Sequence, residues 1–267
     1  MTDLSEKTAL VTGSTQGIGL AIAEAFAAAG ARLAVHGLAG DAEINDLLQH
    51  LETLGAPEAE FFHGNLRDGR QAADLIAAVN AWGGTDILVN NAGIQHPAPI
   101  ADVPKDVWDA IIAVNLSAAF HTMQGALPVM EQRGFGRIIN ISSVQGLVAS
   151  VDKAPYVSAK HGIIGLSQVA ALEYASKGDP VQGGITVNCI CPGWTETPLI
   201  GPQIDARAQI IGASRDVAIA DLLTEKQPSL RMSQPAEIAA LALWLCDPIA
   251  HNVTGTAIPV DGGWTAQ

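Results

Sequence analysis

Apolar runs of strand length alternate with stretches of helical periodicity along most of the chain, and that alternation restricts the fold more than any other feature. Strands are expected at residues 8–11, 32–35, 60–62, 86–89, 136–141, 185–190 and 256–260. Helices are expected at 18–29, Asp41–Leu54, 70–82 and 108–131, with Pro128 near the end of the last, and through Tyr156 after the fifth strand. Strands separated by helices imply right-handed crossovers, hence an α/β fold with a doubly wound parallel sheet and helices on both faces. Neither a linker nor an internal repeat interrupts the pattern, so residues 1–267 are expected to form one domain. Residues 199–230 fall outside the alternation, where a helical lid over a substrate is expected. Residues 176–184 form a polar, Gly-rich loop with no assigned role.

Composition narrows the function. The net charge is −13 and no Lys/Arg run occurs, which argues against nucleic-acid binding. The same field repels anions, so an anionic substrate needs local cations or donors. No apolar run approaches the ~18 residues of a membrane span. The first six residues lack the basic and apolar regions of a secretory leader, so a cytoplasmic location is expected. Cys189, Cys191 and Cys246 lack zinc-site spacing and read as free thiols; no metal site is expected.

Two motifs carry chemistry. Thr12-Gly13-Ser14-Thr15-Gln16-Gly17-Ile18-Gly19 joins the first strand to the first helix, where glycines let a backbone approach a pyrophosphate resting on the helix N-terminus. Its spacing is G-x-x-x-G-x-G, and a tight structural turn remains the alternative. The second strand runs into His36-Gly37-Leu38-Ala39-Gly40-Asp41 with no Arg or Lys for a 2′-phosphate, which favours NAD. Asn65-Leu66 and Asn90-Asn91-Ala92-Gly93 end the third and fourth strands as candidate adenosine contacts. Tyr156 and Lys160 stand at i, i+4, on one helix face. At ~4 Å and an effective dielectric of ~20, the cation is worth about 4 kcal/mol to a phenolate. That would bring a phenol from ~10 to about neutral, suited to acid/base work.

Together these pieces resemble the short-chain dehydrogenase/reductase family, through the Gly13, Gly17, Ile18, Gly19 turn, Asn90-Asn91-Ala92-Gly93, Asn115, Ser143, Tyr156-x-x-x-Lys160 and Pro192-Gly193-x-x-x-Thr197. The resemblance implies a seven-stranded Rossmann-type sheet, usually in a homotetramer, and nicotinamide-dependent oxidation of an alcohol. It implies catalysis by Tyr156 as acid/base, Lys160 beside it, Ser143 on the reacting oxygen and Asn115 holding a water. It also implies cofactor contacts at Gly13, Thr15, Gly17, Ile18, Gly19, Leu38, Asn65, Leu66, Asn91, Ala92, Gly93, Tyr156, Lys160, Pro192, Gly193, Thr195 and Thr197. Ser142 reads as structural.

Residues 91–96, 134–141, 146–150, 191–194, 225–230 and 261–265 are further similar to the bacterial branch of that family that interconverts (R)-3-hydroxybutyrate and acetoacetate with NAD. This closer likeness implies a small anionic 3-hydroxy or 3-keto acid. Its carboxylate would lie on Lys153, Gln95 and Gln203, with Gln145 beside Ser143, and Trp194 and Trp264 as an apolar wall. That branch carries His where this chain has Gln145, which leaves room for a different 3-hydroxy acid. The rivals are another member of the family acting on another 3-hydroxy acid or a ketone, and a non-catalytic dinucleotide-binding redox sensor.

Overall fold

A computed structural model of the protein describes residues 2–179, 181 and 183–266. In chain order its main elements are β1 (Thr8–Thr12), α1 (Gly17–Ala28), β2 (Arg32–His36), α2 (Asp41–Leu54), β3 (Ala59–Phe61), α3 (Gly69–Trp82) and β4 (Ile87–Asn90). There follow α4 (Lys105–Ile112), α5 (Ala118–Arg133), β5 (Phe135–Ile141), α6 (Ala154–Tyr174) and β6 (Gly184–Pro192). The chain closes with α7 (Gly201–Ile211), α8 (Arg215–Lys226), α9 (Pro235–Cys246) and β7 (Ala257–Val260).

The strands make one sheet in the order β3-β2-β1-β4-β5-β6-β7, and each neighbouring pair runs parallel. The winding reverses between β1 and β4, the position where open α/β sheets bind ligands at their carboxyl ends. Successive strand residues point to opposite faces, so each strand feeds two cores. Ala9 and Val11 of β1, Ile87 and Val89 of β4 and Ile139 of β5 pack with Ile22 and Phe26 of α1 and Ile238 and Leu245 of α9. Leu10, Leu88 and Ile138 face the other way, onto Leu75 and Val79 of α3 and Ala126 and Met130 of α5. Burial on both sides accounts for strands that read as continuous apolar runs.

The expected helix 108–131 is longer at both ends. Lys105–Arg133 is continuous, with a π-helical turn at Ala113–Ser117 between α4 and α5. By length and composition alone it is long and apolar enough to cross a membrane, with 44% of its apolar window buried inside the protein. Pro128 lies inside α5, and the helix stops at Gly134, whose φ of 75° is left-handed. Among residues 176–184, Pro180 and Gln182 lie outside the described residues. Asp179 N–H donates to Gly134 O at 2.8 Å, and the buried Arg137 guanidinium donates to Gly184 O at 2.9 Å.

Candidate active site

The ends of β1 and β4 are tied together before any ligand is considered. Thr12 Oγ1 accepts from the N–H groups of Asn91 and Ala92, at 3.0 and 3.1 Å. Asn91 Nδ2 donates to Thr12 O at 2.9 Å and Gly13 O at 3.0 Å. Asn91, expected at the cofactor, holds the glycine turn in place through its side chain. Gly13 and Gly17 have left-handed φ values of 65° and 58°. A Cβ on Gly19 would stand 2.2 Å from Gly13 O, so the helix and turn close only over glycine. Ile18 packs on the α1 side of the core, and Thr15 lies against Gly37, where an added Cβ would meet its Cγ2 at 2.6 Å. The α1 N-terminus has no side-chain cap, which leaves its N–H groups to an anion.

His36, at the end of β2, faces inward. Its Nδ1 accepts from Gly13 N–H at 3.4 Å and its Nε2 donates to Gly64 O at 2.9 Å, which fixes the neutral tautomer. Burial pushes its pKa below the ordinary value, with the Gly64 bond opposing and His63 adding to the fall. Leu38 is 95% exposed just beyond it, and no described residue from 37 to 41 is basic. Leu66 is buried, while Asn65 Oδ1 accepts from Arg67 N–H at 3.1 Å, a turn contact.

On the other side of the switch point, Ser143 follows β5 and shares a hydrogen bond with the buried phenol of Tyr156. Lys160 is buried one turn along α6, with its Nζ 5.5 Å from the Tyr156 ring centroid. That ammonium donates to Ile141 O at 2.7 Å, not to the phenol. The pKa follows: burial pushes Tyr156 up to about 12 against the Ser143 bond, and burial brings Lys160 down to about 8. The expectation of a near-neutral phenol therefore fails here. It assumed a cation at contact distance in a polarisable medium, whereas full desolvation of the phenolate outweighs a cation engaged elsewhere. Ser142 Oγ donates to Lys160 O at 2.9 Å and is structural, as expected.

Asn115 sits in the π turn. Its Oδ1 accepts from Ile94 N–H at 2.9 Å and its Nδ2 donates to Ile94 O at 2.8 Å. It thereby fixes the Gly93–Ile94 backbone; a Cβ on Gly93 would come 3.6 Å from Asn115 Oδ1 and 3.8 Å from Lys160 Nζ. A cavity of about 10 Å³ between Asn115, Lys160, Thr12 and Ile141 is of one-water size.

The loop before α6 carries Lys153. Its Nζ lies 2.5 Å from Gln203 Oε1 and 3.4 Å from Gln95 Oε1, and 5.7 Å from the Trp194 ring centroid. Gln95 Nε2 donates to Leu199 O at 2.9 Å, which ties the β4 turn to the start of the lid segment. Burial holds Lys153 down to about 8. Three buried polar atoms nearby in sequence or space have no partner: Gln203 Nε2, Trp194 Nε1 and Gln145 Oε1. Gln203 Nε2 and Trp194 Nε1 are unpaired donors near a cation bonded to neutral amides, whereas Gln145 Oε1 is an unpaired acceptor, since the Gln145 amide nitrogen is turned to Ser150. Trp194 and Trp264 stack with centroids 6.0 Å apart, tilted by 35°. Gln145 N–H donates to Ser143 Oγ at 3.1 Å, and its Nε2 donates to Ser150 Oγ at the same distance.

At the end of β6, Gly193 N–H donates to Val260 O, and Pro192 precedes it as the last strand residue. Thr195 is buried and bridges Ser233, while a Cβ on Gly17 would meet Thr197 Cγ2 at 3.3 Å. Residues 199–230 form a helical hairpin, α7 and α8. Arg207 pairs with Asp221 and Glu225, and Arg215 with Asp205, across the two helices. Ile204, Ile219 and Leu223 of the hairpin line an apolar gap over Trp194.

A family model described as short chain dehydrogenase matches residues 7–208. The D-beta-hydroxybutyrate dehydrogenase of Cupriavidus necator is 49% identical over 266 residues, 99% of this chain and 100% of its own length. Its namesake from Rhizobium meliloti is 45% identical over 262 residues, covering 98% and 99%. This chain belongs to the short-chain dehydrogenase family. Among solved structures of short-chain dehydrogenase fold, one from Mycobacterium marinum described as a short-chain type dehydrogenase/reductase superposes with a TM-score of 0.85 at 30% identity, covering 100% of this chain and 98% of its own. A Beutenbergia cavernae protein described as an NAD(P)-dependent gluconate 5-dehydrogenase, with bound NADP, gives 0.87 at 31%, covering 100% and 99%.

Sequence reasoning missed two parts of this dehydrogenase. One is a buried polar chain beneath the site. Thr122 Oγ1 donates to Asn90 Oδ1 (2.7 Å), Asn90 Nδ2 to Asn140 Oδ1 (2.8 Å) and Asn140 Nδ2 to Ser167 Oγ (2.7 Å). Asparagines inside two apolar strands were the available signal, since a buried amide needs partners. The other is Gln227, buried at the end of α8.

Proposed function

We propose that the protein is a cytoplasmic, NAD-dependent dehydrogenase that interconverts (R)-3-hydroxybutyrate and acetoacetate. The observation that carries the substrate class is Lys153, a half-buried cation held, among the described residues, by the amide oxygens of Gln203 and Gln95, close before Tyr156 in sequence. The relatives named D-beta-hydroxybutyrate dehydrogenase support the same reading. NAD rather than NADP is supported by the lack of a cation after β2, where His36 is neutral and turned to Gly13 and Gly64. The residues fit a dinucleotide: a glycine turn that a Cβ would fill, an uncapped helix N-terminus, and the Gly93 cradle under Lys160.

When bound, the nicotinamide supplies the acceptor or donor of the C3 hydride. The chain does the rest. In reduction, the protonated phenol of Tyr156 gives its proton to the ketone oxygen, and Ser143 Oγ steadies that oxygen. In oxidation, Tyr156 must first lose its proton, which its burial opposes. Lys160, Asn115 and the small cavity between them form the route by which that proton reaches solvent. Lys153, Gln95 and Gln203 hold the carboxylate. Trp194 and Trp264 bound the alkyl end, and the α7–α8 hairpin closes over both as a lid. Exposed apolar residues on helices, Phe120 on α5, Leu172 on α6 and Trp244 on α9, support a homotetramer built from those faces. The direct test mixes the protein with NAD or NADP and each enantiomer of 3-hydroxybutyrate and follows absorbance of the reduced cofactor. Reduction by the (R) form with NAD supports the reading; reduction only by other hydroxy acids, or only with NADP, overturns it.

A further inference from the structure

We infer that Gln227 is a positioning residue that joins the lid to the substrate wall by fixing Trp194, an inference that rests on the reading of the site as a 3-hydroxy-acid pocket. Gln227 is 1% exposed, unusual for a polar residue just past the end of a surface helix. Both ends of its amide are engaged. Oε1 accepts from the backbone N–H of Trp194 at 3.0 Å, and Nε2 donates to Arg231 O. Its own backbone closes α8 and opens the next turn, with N–H donating to Leu223 O at 2.7 Å and O accepting from Leu230 N–H at 2.9 Å.

Four segments meet at this one amide. A Cβ on Gly193 would stand 2.8 Å from Gln227 Oε1, and one on Gly262 would stand 2.7 Å from its Cγ and 2.2 Å from Ser229 Oγ. Ser229 N–H donates to Gly262 O at 2.9 Å, which binds the turn after the lid to the C-terminal tail. That tail is ordered by Asp261, which accepts from Gly263 N–H, Thr265 N–H and Thr265 Oγ1, and it carries Trp264, the stacking partner of Trp194. The Trp194 backbone is thus held by Gln227, its indole lies beside the Trp264 ring, and it shares an apolar gap with Ile204 and Leu223 of the lid. Its front lies under Lys153. A neutral amide that donates and accepts at once is the side chain that can bridge a backbone N–H and a backbone C=O across two segments. Movement of α8 is carried to Trp194 through this bridge, and the dinucleotide turn on β1 is not part of it.

The test is a double-mutant cycle on the full-length protein. Gln227→Met keeps the length of the side chain and removes both hydrogen bonds. It should raise KM for 3-hydroxybutyrate about tenfold, the range expected for losing neutral hydrogen bonds, with kcat within about twofold and NADH affinity unchanged. In a Trp194→Ala background the same change should move KM less than about twofold, because the group it positions is gone. An unchanged KM, or an equal rise in both backgrounds, overturns the inference. If Gln227→Met does not fold, Gln227→Glu decides. It keeps an acceptor for the Trp194 N–H but cannot donate to Arg231 O, so KM should rise about fivefold or more with NADH binding intact; a smaller rise refutes the role. A wild type inactive on 3-hydroxybutyrate would instead refute the substrate assignment.

Discussion

Lys153 offers the sharpest perturbation. Its ammonium is held by two amide oxygens and no carboxylate, and burial has brought its pKa to about 8. The sign follows: the cation is present below that value and is lost as pH rises through it. At pH 7 roughly nine in ten molecules carry the charge, and at pH 9 roughly one in ten. A carboxylate that binds only the charged form should therefore bind about tenfold more weakly for each pH unit above 8. A charge-assisted hydrogen bond contributes about 1.5–3 kcal/mol, so Lys153→Met should weaken carboxylate binding by roughly 10- to 150-fold at pH 7. Butyrate separates this from the chemistry, because it has the carboxylate and lacks the oxygen that meets Ser143 and Tyr156. The assay is the competitive inhibition constant of butyrate between pH 6.5 and 9.5, in wild type and Lys153→Met. Wild type should hold a plateau and then weaken above pH 8, and the variant should be weak and flat. A pH-independent constant in wild type, or a variant that binds butyrate as tightly, would place the carboxylate elsewhere.

Other perturbations reach different parts of the site. Tyr156→Phe should abolish turnover while NADH still binds, measured by fluorescence titration; retained turnover removes Tyr156 from the mechanism. His36 has a folded-state pKa below its ordinary value. Its contribution is present above the unfolded value and lost as pH falls through the folded one, because protonation removes the acceptor for Gly13 N–H. KM for NAD should rise as pH falls below neutrality, and His36→Asn should flatten that rise; equal profiles for the two proteins would exclude it. Leu38→Arg places a cation at an exposed position after β2 and should improve kcat/KM with NADP by about tenfold or more; no change would mean the 2′ position lies elsewhere. Asn140→Leu leaves Asn90 Nδ2 without its acceptor and Ser167 Oγ without one of its donors, and should cost about 1–3 kcal/mol in denaturant unfolding. A loss under about 0.5 kcal/mol would show that the chain is not fully buried as drawn.

What could be read in advance follows physical lines. The strands were legible because burial on both faces leaves uninterrupted apolar runs, as in Leu10–Val11 and Ile138–Ile139, and α2 was legible from end to end. The pairing of Tyr156 with Lys160 on one helix face followed from the i, i+4 spacing. The destination of the Lys160 ammonium did not, because Ile141 O is supplied by a strand end far off in sequence. The phenol's pKa was misjudged for that reason, since desolvation depends on neighbours that spacing does not reveal. The π turn at Asn115 was equally hidden: an i→i+5 step leaves no mark in hydrophobic periodicity. The place of Asn91 at the end of β4 was legible, while the bonds of its side chain to Thr12 O and Gly13 O were not, because the glycine turn lies far off in sequence.

The claim beneath the whole account is that this chain moves a hydride from C3 of one enantiomer while Tyr156 handles the proton. Incubation with NAD and (R)-3-hydroxybutyrate deuterated at C3, followed by mass spectrometry of the reduced cofactor, tests it directly. One deuterium per reduced cofactor is predicted for wild type, with none formed by Tyr156→Phe or from the (S) form. Undeuterated reduced cofactor, or equal transfer from both enantiomers, would contradict it.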